Sequence, residues 1–328
     1  MSTVVVKLGG AAITDKSAPD TLSHNIDSLM DSVAHAYHHV LRPSGRQLIL
    51  IHGAGSFGHP PAKKYQVKAG WTARQDVAGG GSGSGHGGGG GGEEDEEDEE
   101  DEDKQARDNV KFGMALTRQR VLQLHLDVLQ RLHARQRMPI LSVSTYDTVD
   151  TDNGAVKAAS SARLVTRVQQ VLDAGFVPLL FGDAVLDRTL GATILSGDAL
   201  MYHLAERLPA VVERCVFVTD VAGIFTLDPK RFPDEAVLIK TMRCSEAGSS
   251  AAIDKDDEAT AAAAASVDDV TGGMRSKWQW AKRIVTDARQ VREVVICRVE
   301  DAGRAIGYQG SGSKDHGEEA GEWTAIFG

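Results

Sequence analysis

Short apolar runs alternate with longer helical patterns along most of this chain of 328 residues. Such alternation is typical of a mainly parallel sheet with helices on both faces. The runs that predict strands are residues 4–8, 47–52, 138–143, 177–181, 216–219 and 293–297. The segments that predict helices are residues 21–40, 108–135, 155–174, 198–208 and 276–291. We therefore predict an α/β fold, a three-layer αβα sandwich with a central, mainly parallel sheet.

Two segments interrupt this pattern. Residues 79–92 are almost entirely Gly with Ser and His, and an unbroken run of eleven acidic residues follows at 93–103. Because this composition buries too little apolar surface to offset its ordering entropy, we predict a disordered insertion at 79–104, in which His86 is solvated. The second interruption, residues 245–268, is Ala-rich and acidic and predicts a loop or a short helix.

The charge of the chain is concentrated in that acidic run. The formal net charge is −10, and without the eleven acidic residues the rest of the chain carries +1. A nearly neutral remainder does not indicate bulk binding of nucleic acid. The three cysteines fit no disulfide framework and no metal motif, and no apolar window is long enough to span a membrane. We expect a soluble, cytosolic protein without a signal or transit peptide.

The first predicted strand ends in a lysine and two glycines, Lys7, Gly9 and Gly10. Paired glycines let backbone N–H groups approach a phosphate closely, and a lysine adds positive charge. Lys16, nine residues after Lys7, could reach the same place. A lysine at a strand end can equally be only solvated, so this motif alone leaves both interpretations open.

Residues 52–59, which follow the second strand, contain G-x-G-x-x-G. A dinucleotide site would need an acidic residue about 20 positions further on, where this chain has its Gly-rich insertion. We therefore expect an anion-binding turn before a helix, with His59 at its mouth. The alternative is that His59 packs at the start of that helix.

One later strand ends in Gly182-Asp183, and residues 194–198 form a further junction of the same type at Gly197-Asp198. Asp198 could be the cap of the helix that follows. Asp183 has no such structural alternative, and could orient two lysines or hold a magnesium ion. Near the C-terminal end, the glycines of residues 269–277 open the last long helix and suit a phosphate site, with Lys277 in reach of a nucleotide's terminal phosphates.

These motifs and their order resemble the amino acid kinase family. They are K-L-G-G, the Gly-rich turn, the Gly-Asp strand ends, T-D-V-x-G-I at 219–224 and D-V-T-G-G-M-x-x-K at 269–277. Within that family, H-G-A-G-S-F-G-H with the following A-K-K-Y, and I-T-D-K at 13–16, are similar to isopentenyl phosphate kinases. The resemblance covers nearly the whole chain apart from the two interruptions.

The resemblance implies transfer of the γ-phosphoryl group of ATP, with Mg²⁺, onto isopentenyl phosphate, a step of isoprenoid biosynthesis. It implies one domain over residues 1–328, with an acceptor-binding lobe at about 1–182, a nucleotide-binding lobe at about 183–328, and pairing into a homodimer. The implied catalytic residues are Lys7, Lys16, His59 and Lys277. The implied acceptor-binding residues are Ala54, Gly55, His59, Gly182 and Asp183. The implied nucleotide-binding residues are Lys7, Gly9, Gly10, Gly55, Asp220, Gly223, Gly272, Gly273 and Lys277, and no side chain is implied as a metal ligand.

The sequence departs from the family pattern at two places. Ala54 stands where a third glycine is common, and Ala11-Ala12 replaces a frequent Gly-Ser continuation, both with small side chains. Other interpretations are a kinase of another phosphate or phosphonate, such as fosfomycin, a nucleotide-binding protein without turnover, and a dinucleotide-dependent oxidoreductase. An isoprenoid acceptor requires an apolar pocket beyond His59, which distinguishes it from the first of these.

Overall fold

The structure is a computed structural model that describes residues 1–72, 92–229, 231–244, 251–252, 272–288, 290–308 and 321–328. The strands of this part are β1 (Ser2–Leu8), β2 (Gln47–His52), β3 (Ile140–Ser142), β4 (Thr151–Asp152), β5 (Ala155–Val156), β6 (Val177–Phe181), β7 (Asp183–Asp187), β8 (Gly191–Leu195), β9 (Val211–Thr219), β10 (Thr241–Cys244), β11 (Ala251–Ala252), β12 (Glu293–Arg298) and β13 (Trp323–Phe327). The α-helices are α1 (Gly10–Ile13), α2 (Ile26–Ala36), α3 (Gly55–Lys64), α4 (Gly92–Gln130), α5 (Ala158–Asp173), α6 (Gly197–Arg207), α7 (Gly272–Asp287) and α8 (Ala302–Gly307). Turns of π-helix follow α2 and α4, at Tyr37–Leu41 and Arg131–Arg135, and a 3-10 turn, Val299–Asp301, precedes α8.

The main sheet has the spatial order β11-β10-β13-β12-β9-β1-β2-β6-β3 within the described residues. Its central strands, from β12 through β9, β1, β2 and β6 to β3, are all parallel. The other strands form a small sheet in the order β5-β4-β7-β8. Parallel strands at the centre of a sheet are usually covered by helices on both faces. The side chains of β1 and β2 are mostly apolar, so both faces of these strands can be buried in this way.

Alternate residues of β1 pack on opposite sides of the main sheet. Val5 belongs to a buried cluster that also contains Leu200 of α6 and Ile284 of α7. Val4 belongs to the cluster on the other side, with Leu29 of α2. Successive side chains of a strand point to opposite faces, so one strand contributes to both cores. The predicted αβα sandwich is confirmed.

Strands β2 and β6 have the predicted bounds, and the other predicted strands are present with shifted ends. The sequence missed the small sheet and strands β10, β11 and β13. It also predicted a helix from residue 155, whereas Ala155–Val156 form β5 and α5 begins at Ala158. The missed strands are short and several carry Asp, Gly or Arg, so their apolar periodicity is too weak to indicate a strand.

The prediction of disorder at 79–104 is wrong for the acidic run. Residues 92–104 form the first turns of α4, which continues to Gln130. Glu is a good helix former, so the composition of the run is compatible with a helix. Residues 79–91, including His86, lie outside the described residues. So does most of the second interruption, in which only Ala251–Ala252 are described, as a strand.

All three cysteines are free, as the sequence predicts, and Cys215 and Cys297 are buried. Burial raises the pKa of both of these thiols, so they are unreactive core residues. Among the described residues, no helix is both long enough and apolar enough to cross a membrane.

Two glycine turns contact each other through their backbones. A Cβ atom placed on Gly10 would lie 2.6 Å from the Cα atom of Gly55. Gly55 itself has a φ of +50°, in the left-handed region that favours glycine. The first glycine pair therefore serves the close approach of two turns, in addition to any approach to a phosphate.

We predict that Gly10→Ala lowers the free energy of unfolding by about 1–3 kcal/mol, because the added methyl group meets backbone that cannot rotate away. Urea unfolding measures the change. Gly307→Ala is the matched control, since its methyl group would lie 3.3 Å from a Val40 side chain, which can adjust. Equal stability of the two variants would contradict the prediction.

Candidate active site

The strand ends of the parallel sheet meet at one edge. Leu8, the last residue of β1, is in register with His52 on one side and Val218 on the other. His52 is in register with Phe181 of β6. The turns that follow these strands therefore lie side by side, where ligands of parallel α/β proteins bind.

These turns line a cavity of about 670 Å³. It brings together ten of the predicted site residues: Lys7, Gly9, Gly10, Lys16, Ala54, Gly55, His59, Gly182, Asp183 and Lys277. Gly272 and Gly273 open α7, the helix that carries Lys277. Gly223 instead packs against Thr324 of β13, to which Ile224 donates a backbone hydrogen bond of 2.8 Å.

Lys7 forms a buried ion pair with Asp198 at the start of α6. The helix is capped by Ser196, whose Oγ accepts a hydrogen bond of 3.1 Å from the Ala199 N–H. The alternative in which Asp198 is only the cap of α6 is therefore wrong. Its carboxylate instead orients the amine of Lys7 towards the cavity, the role that the sequence offered to Asp183.

Lys16 and Asp220 form a second ion pair across the cavity mouth, with Nζ and Oδ2 3.0 Å apart. This pair is more exposed than the first, since the Lys16 side chain keeps 66% of its surface in solvent. Asp220 therefore belongs to the site through its pairing with Lys16.

Lys277 completes a cluster of three lysines around the cavity. Burial lowers its pKa, and the positive charge of Lys7 lowers it further, while Asp198 and Asp220 oppose the change. The two carboxylates thus keep positive charge in a place where amines otherwise tend to lose their protons.

His59 lies on α3 at the mouth of the cavity and is exposed. Enough protein surrounds its ring that loss of hydration lowers its pKa, and the charges of Lys7 and Lys16 act in the same direction. His59 is therefore neutral at pH 7 and can donate one N–H to an anion.

Thr14 ties the two glycine turns together. Its Oγ1 donates to the Gly10 carbonyl at 2.8 Å and accepts from the Ser56 N–H at 2.9 Å. From the sequence, Thr14 was included only as part of the I-T-D-K motif and was assigned no role. Its spacing of four residues from Gly10 was the available signal, since a threonine often bonds back one helical turn.

Asp183 forms an ion pair with an arginine. Its fully buried carboxylate pairs with Arg118 of α4, and the Arg118 guanidinium lies 4.0 Å from the centre of the Tyr146 ring. Burial raises the pKa of Asp183 to about 6, against the opposing charge of Arg118. Asp183 therefore orients no lysine, which corrects that expectation, and the sequence gave no sign of Arg118.

Past His59 the cavity has an apolar wall. Its members are Ala62, Val121, Ala184, Ile194 and Leu195. Ala62, one helical turn after His59, belongs with Ala184 and Ile194 to a small apolar cluster that contains Val67 and Met114. The site therefore combines a cationic end with an apolar end, and suits an anion that carries a hydrocarbon tail.

Comparison with known proteins identifies the family of this chain. A model of the amino acid kinase family matches residues 2–298. The chain belongs to the amino acid kinase family. Within it the chain groups with the isopentenyl phosphate kinases, since that of Methanothermobacter thermautotrophicus is 30% identical over 239 residues, 72% of this chain and 73% of the relative.

The isopentenyl phosphate kinase of Arabidopsis thaliana is 33% identical over 238 residues, or 70% of this chain, and the match spans 59% of the relative's length. A crystal structure of Thermoplasma acidophilum isopentenyl phosphate kinase in its product complex has a TM-score of 0.63 at 23% identity, covering 99% of this chain and 100% of that one. This likeness confirms the fold.

We predict that Arg118→Met destabilises the protein by about 3 kcal/mol at pH 8, because it leaves the ionised Asp183 carboxylate buried without a partner. At pH 5 the loss is smaller. Asp183 has a raised pKa in the folded state, so it takes up a proton as the pH falls through 6 and no longer needs the arginine. Urea unfolding at both pH values measures the difference.

The matched control is Asp183→Asn in the Arg118→Met background, which removes the charge that lacks a partner. We expect it to recover most of the stability at pH 8 and to abolish the pH dependence. A loss of equal size at the two pH values would contradict the assignment.

Proposed function

We propose that this protein transfers the γ-phosphoryl group of ATP to the phosphate of isopentenyl phosphate, giving isopentenyl diphosphate and ADP. The observation that carries the proposal is the division of one cavity into a cationic end, with Lys7, Lys16 and Lys277, and an apolar wall beyond His59. A short phosphorylated hydrocarbon has the same division. Its relatives in the kinase family support the same acceptor.

In the proposed reaction, an oxygen of the acceptor phosphate attacks the γ-phosphorus of ATP. The new P–O bond forms as the bond from the γ-phosphorus to the β,γ-bridging oxygen breaks, and ADP leaves with the electron pair. Both reactants are anions, so the main task of the protein is to position them and to offset negative charge. We assign that task to Lys7, Lys16 and Lys277, and no covalent nucleophile is needed.

The acceptor phosphate is assigned to the start of α3. The first N–H groups of a helix have no partner within the helix, and the turn at Ala54 and Gly55 lines the cavity. His59, neutral at pH 7, donates a further hydrogen bond from the next turn. Gly182 and Asp183 line the acceptor side, where Asp183 acts by holding Arg118 in place.

The nucleotide is assigned to the side formed by β9 and α7, with Asp220, Gly272, Gly273 and Lys277. With this assignment, the acceptor-binding lobe extends to about residue 182 and the nucleotide-binding lobe follows it. Gly9 and Gly10 lie at the boundary, in the turn that contacts both sides.

The described residues do not form a binding site for Mg²⁺ by themselves. They bring together no group of three His, Cys, Asp or Glu side chains that could hold a metal. Asp198 and Asp220 are both paired with lysines. Magnesium that enters with ATP would therefore take most of its ligands from phosphate oxygens and water.

We predict that the purified protein releases ADP with ATP, Mg²⁺ and isopentenyl phosphate, and much more slowly with fosfomycin, N-acetylglutamate or glutamate. His59→Ala should lower kcat/KM for isopentenyl phosphate on the order of 10²-fold, because a hydrogen bond to the reacting phosphate is lost. His133→Ala, at an exposed histidine on another element, is the control.

Preference for another acceptor would move the function to a different kinase of the same fold. Absence of ADP release with every acceptor, from a folded protein, would favour a nucleotide-binding protein without turnover.

A homodimer is the second part of the proposal. Strand β3 is the last strand at its edge of the main sheet in the described residues, and Leu141 on it is 40% exposed. Leu122 and Leu126, one turn apart on α4, are 37% and 49% exposed. An unpaired sheet edge and exposed leucines support pairing of two chains through this side of the molecule.

We predict a mass of two chains by light scattering after size-exclusion chromatography. Leu122→Glu with Leu126→Glu should reduce it to the mass of one chain, because the two charges oppose burial of this face. Leu186→Glu, at a 53% exposed leucine on β7, is the control and should leave the dimer intact. A single-chain mass of the unaltered protein would contradict the proposal.

A further inference from the structure

Behind the glycine turn of the site, two buried histidines and a serine form a line of hydrogen bonds. His52 Nδ1 lies 3.0 Å from the Gly53 carbonyl oxygen, and His52 Nε2 lies 3.0 Å from His125 Nδ1. His125 Nε2 lies 2.7 Å from the hydroxyl of Ser142. His52 is at the end of β2, His125 is on α4, and Ser142 is exposed on the edge strand β3.

The direction of every hydrogen bond in this line follows from the Gly53 carbonyl group at one end of it. The Gly53 carbonyl can only accept, so His52 carries its proton on Nδ1. A neutral His52 then accepts at Nε2, and His125 must donate from its own Nδ1. The His125 Nε2 atom is left to accept, so the Ser142 hydroxyl donates to it.

Both rings are neutral, as this order requires. His52 is fully buried and His125 is 3% exposed. Burial lowers the pKa of His52 to about 4 and that of His125 to about 3. Stacking fixes the His52 ring further, since its plane is 16° from that of Phe181, with the ring centres 5.5 Å apart. A protonated His52 would carry hydrogens on both ring nitrogens and would oppose the N–H of His125.

The peptide group that this line holds is the one between Gly53 and Ala54. The strand just before it is already fixed, because the Gly53 N–H donates to the Leu8 carbonyl at 2.9 Å and the Gly182 N–H donates to the His52 carbonyl at 3.1 Å. In a trans peptide the C=O and N–H point in opposite directions. A Gly53 carbonyl held by His52 therefore directs the Ala54 N–H away from His52.

We propose that His52, His125 and Ser142 are positioning residues, which fix the proton on His52 Nδ1 and so hold the Ala54 N–H ready for the acceptor phosphate. The proposal deepens the proposed function, because it rests on the turn at Ala54 being the acceptor site. It explains two polar rings in a core position where apolar side chains would avoid the cost of burying imidazole nitrogens. Preorganised donors bind and stabilise an anion without reorganising during the reaction.

The kinetic test compares His125→Leu, which offers no donor to His52, with His125→Asn, whose amide N–H occupies the place of Nδ1. We expect His125→Leu to raise the KM for isopentenyl phosphate about 10-fold, the effect of one lost hydrogen bond, with the KM for ATP changed less than twofold. His125→Asn should recover most of the loss. Ser142→Ala should raise the KM about threefold, because His125 keeps its own N–H.

Equal KM values in His125→Leu and His125→Asn would overturn the proposal, as would an equal rise in the KM for ATP. Should His125→Leu fail to fold, Ser142→Ala carries the test, and an unchanged KM for isopentenyl phosphate in that variant would overturn the proposal.

The second test does not depend on which acceptor the enzyme uses. Nitrogen-15 spectra of the histidine side chains at pH 7 should show His52 and His125 both neutral and protonated at Nδ1, and in His125→Leu the His52 signal should shift towards the other tautomer. Titration with inorganic phosphate should show about 10-fold weaker binding to His125→Leu than to His125→Asn. A proton on Nε2 of either histidine in the unaltered protein overturns the proposal. If the spectra are as expected but the protein does not turn over isopentenyl phosphate, only the proposed substrate is overturned.

Discussion

The buried ion pair between Lys7 and Asp198 is the interaction on which the rest of the site depends. Two unit charges 4 Å apart interact by about 4 kcal/mol at the effective dielectric constant of a protein surface, so lysines that share a cavity repel strongly. Lys7 is nearly buried, and an unpaired charge in such a place costs several kcal/mol. Asp198 offsets both costs. It also joins the central strand β1 to helix α6, so that the charge at the centre of the site is fixed by the main sheet and a helix packed on it.

The parallel sheet determines which residues can meet that charge. Because neighbouring strands end in register, the turns after β1, β2, β6 and β9 share one edge. Close contact between Gly10 and Gly55 lets two of these turns approach, and Thr14 bonds to both. The site is therefore built from local turns that are far apart in sequence, and its accuracy comes from sheet register rather than from any long loop.

The sequence predicted the layers, the central strands and ten of the residues that line the cavity. Strand ends with Lys, Gly and Asp were sufficient for this, since parallel strands place their ends together. What it could not predict was which carboxylate pairs with which cation. Asp183 and Asp198 follow the same Gly-Asp pattern, yet one faces Arg118 and the other faces Lys7. That choice depends on α4 and on the crossing of helices over the sheet, which no local motif records. The histidine line was missed for the same reason, because His52 and His125 are 73 residues apart.

The Lys16–Asp220 pair differs from the Lys7–Asp198 pair in its exposure, and this difference has a consequence for how anions enter and leave. A lysine with 66% of its side chain in solvent is paired weakly, because water and salt screen the attraction. A phosphate anion that enters the cavity can therefore compete with Asp220 for Lys16, and Asp220 can pair with Lys16 again when that anion leaves. Because the Asp220 carboxylate remains at the mouth, its negative charge repels a bound anion and favours the release of that anion.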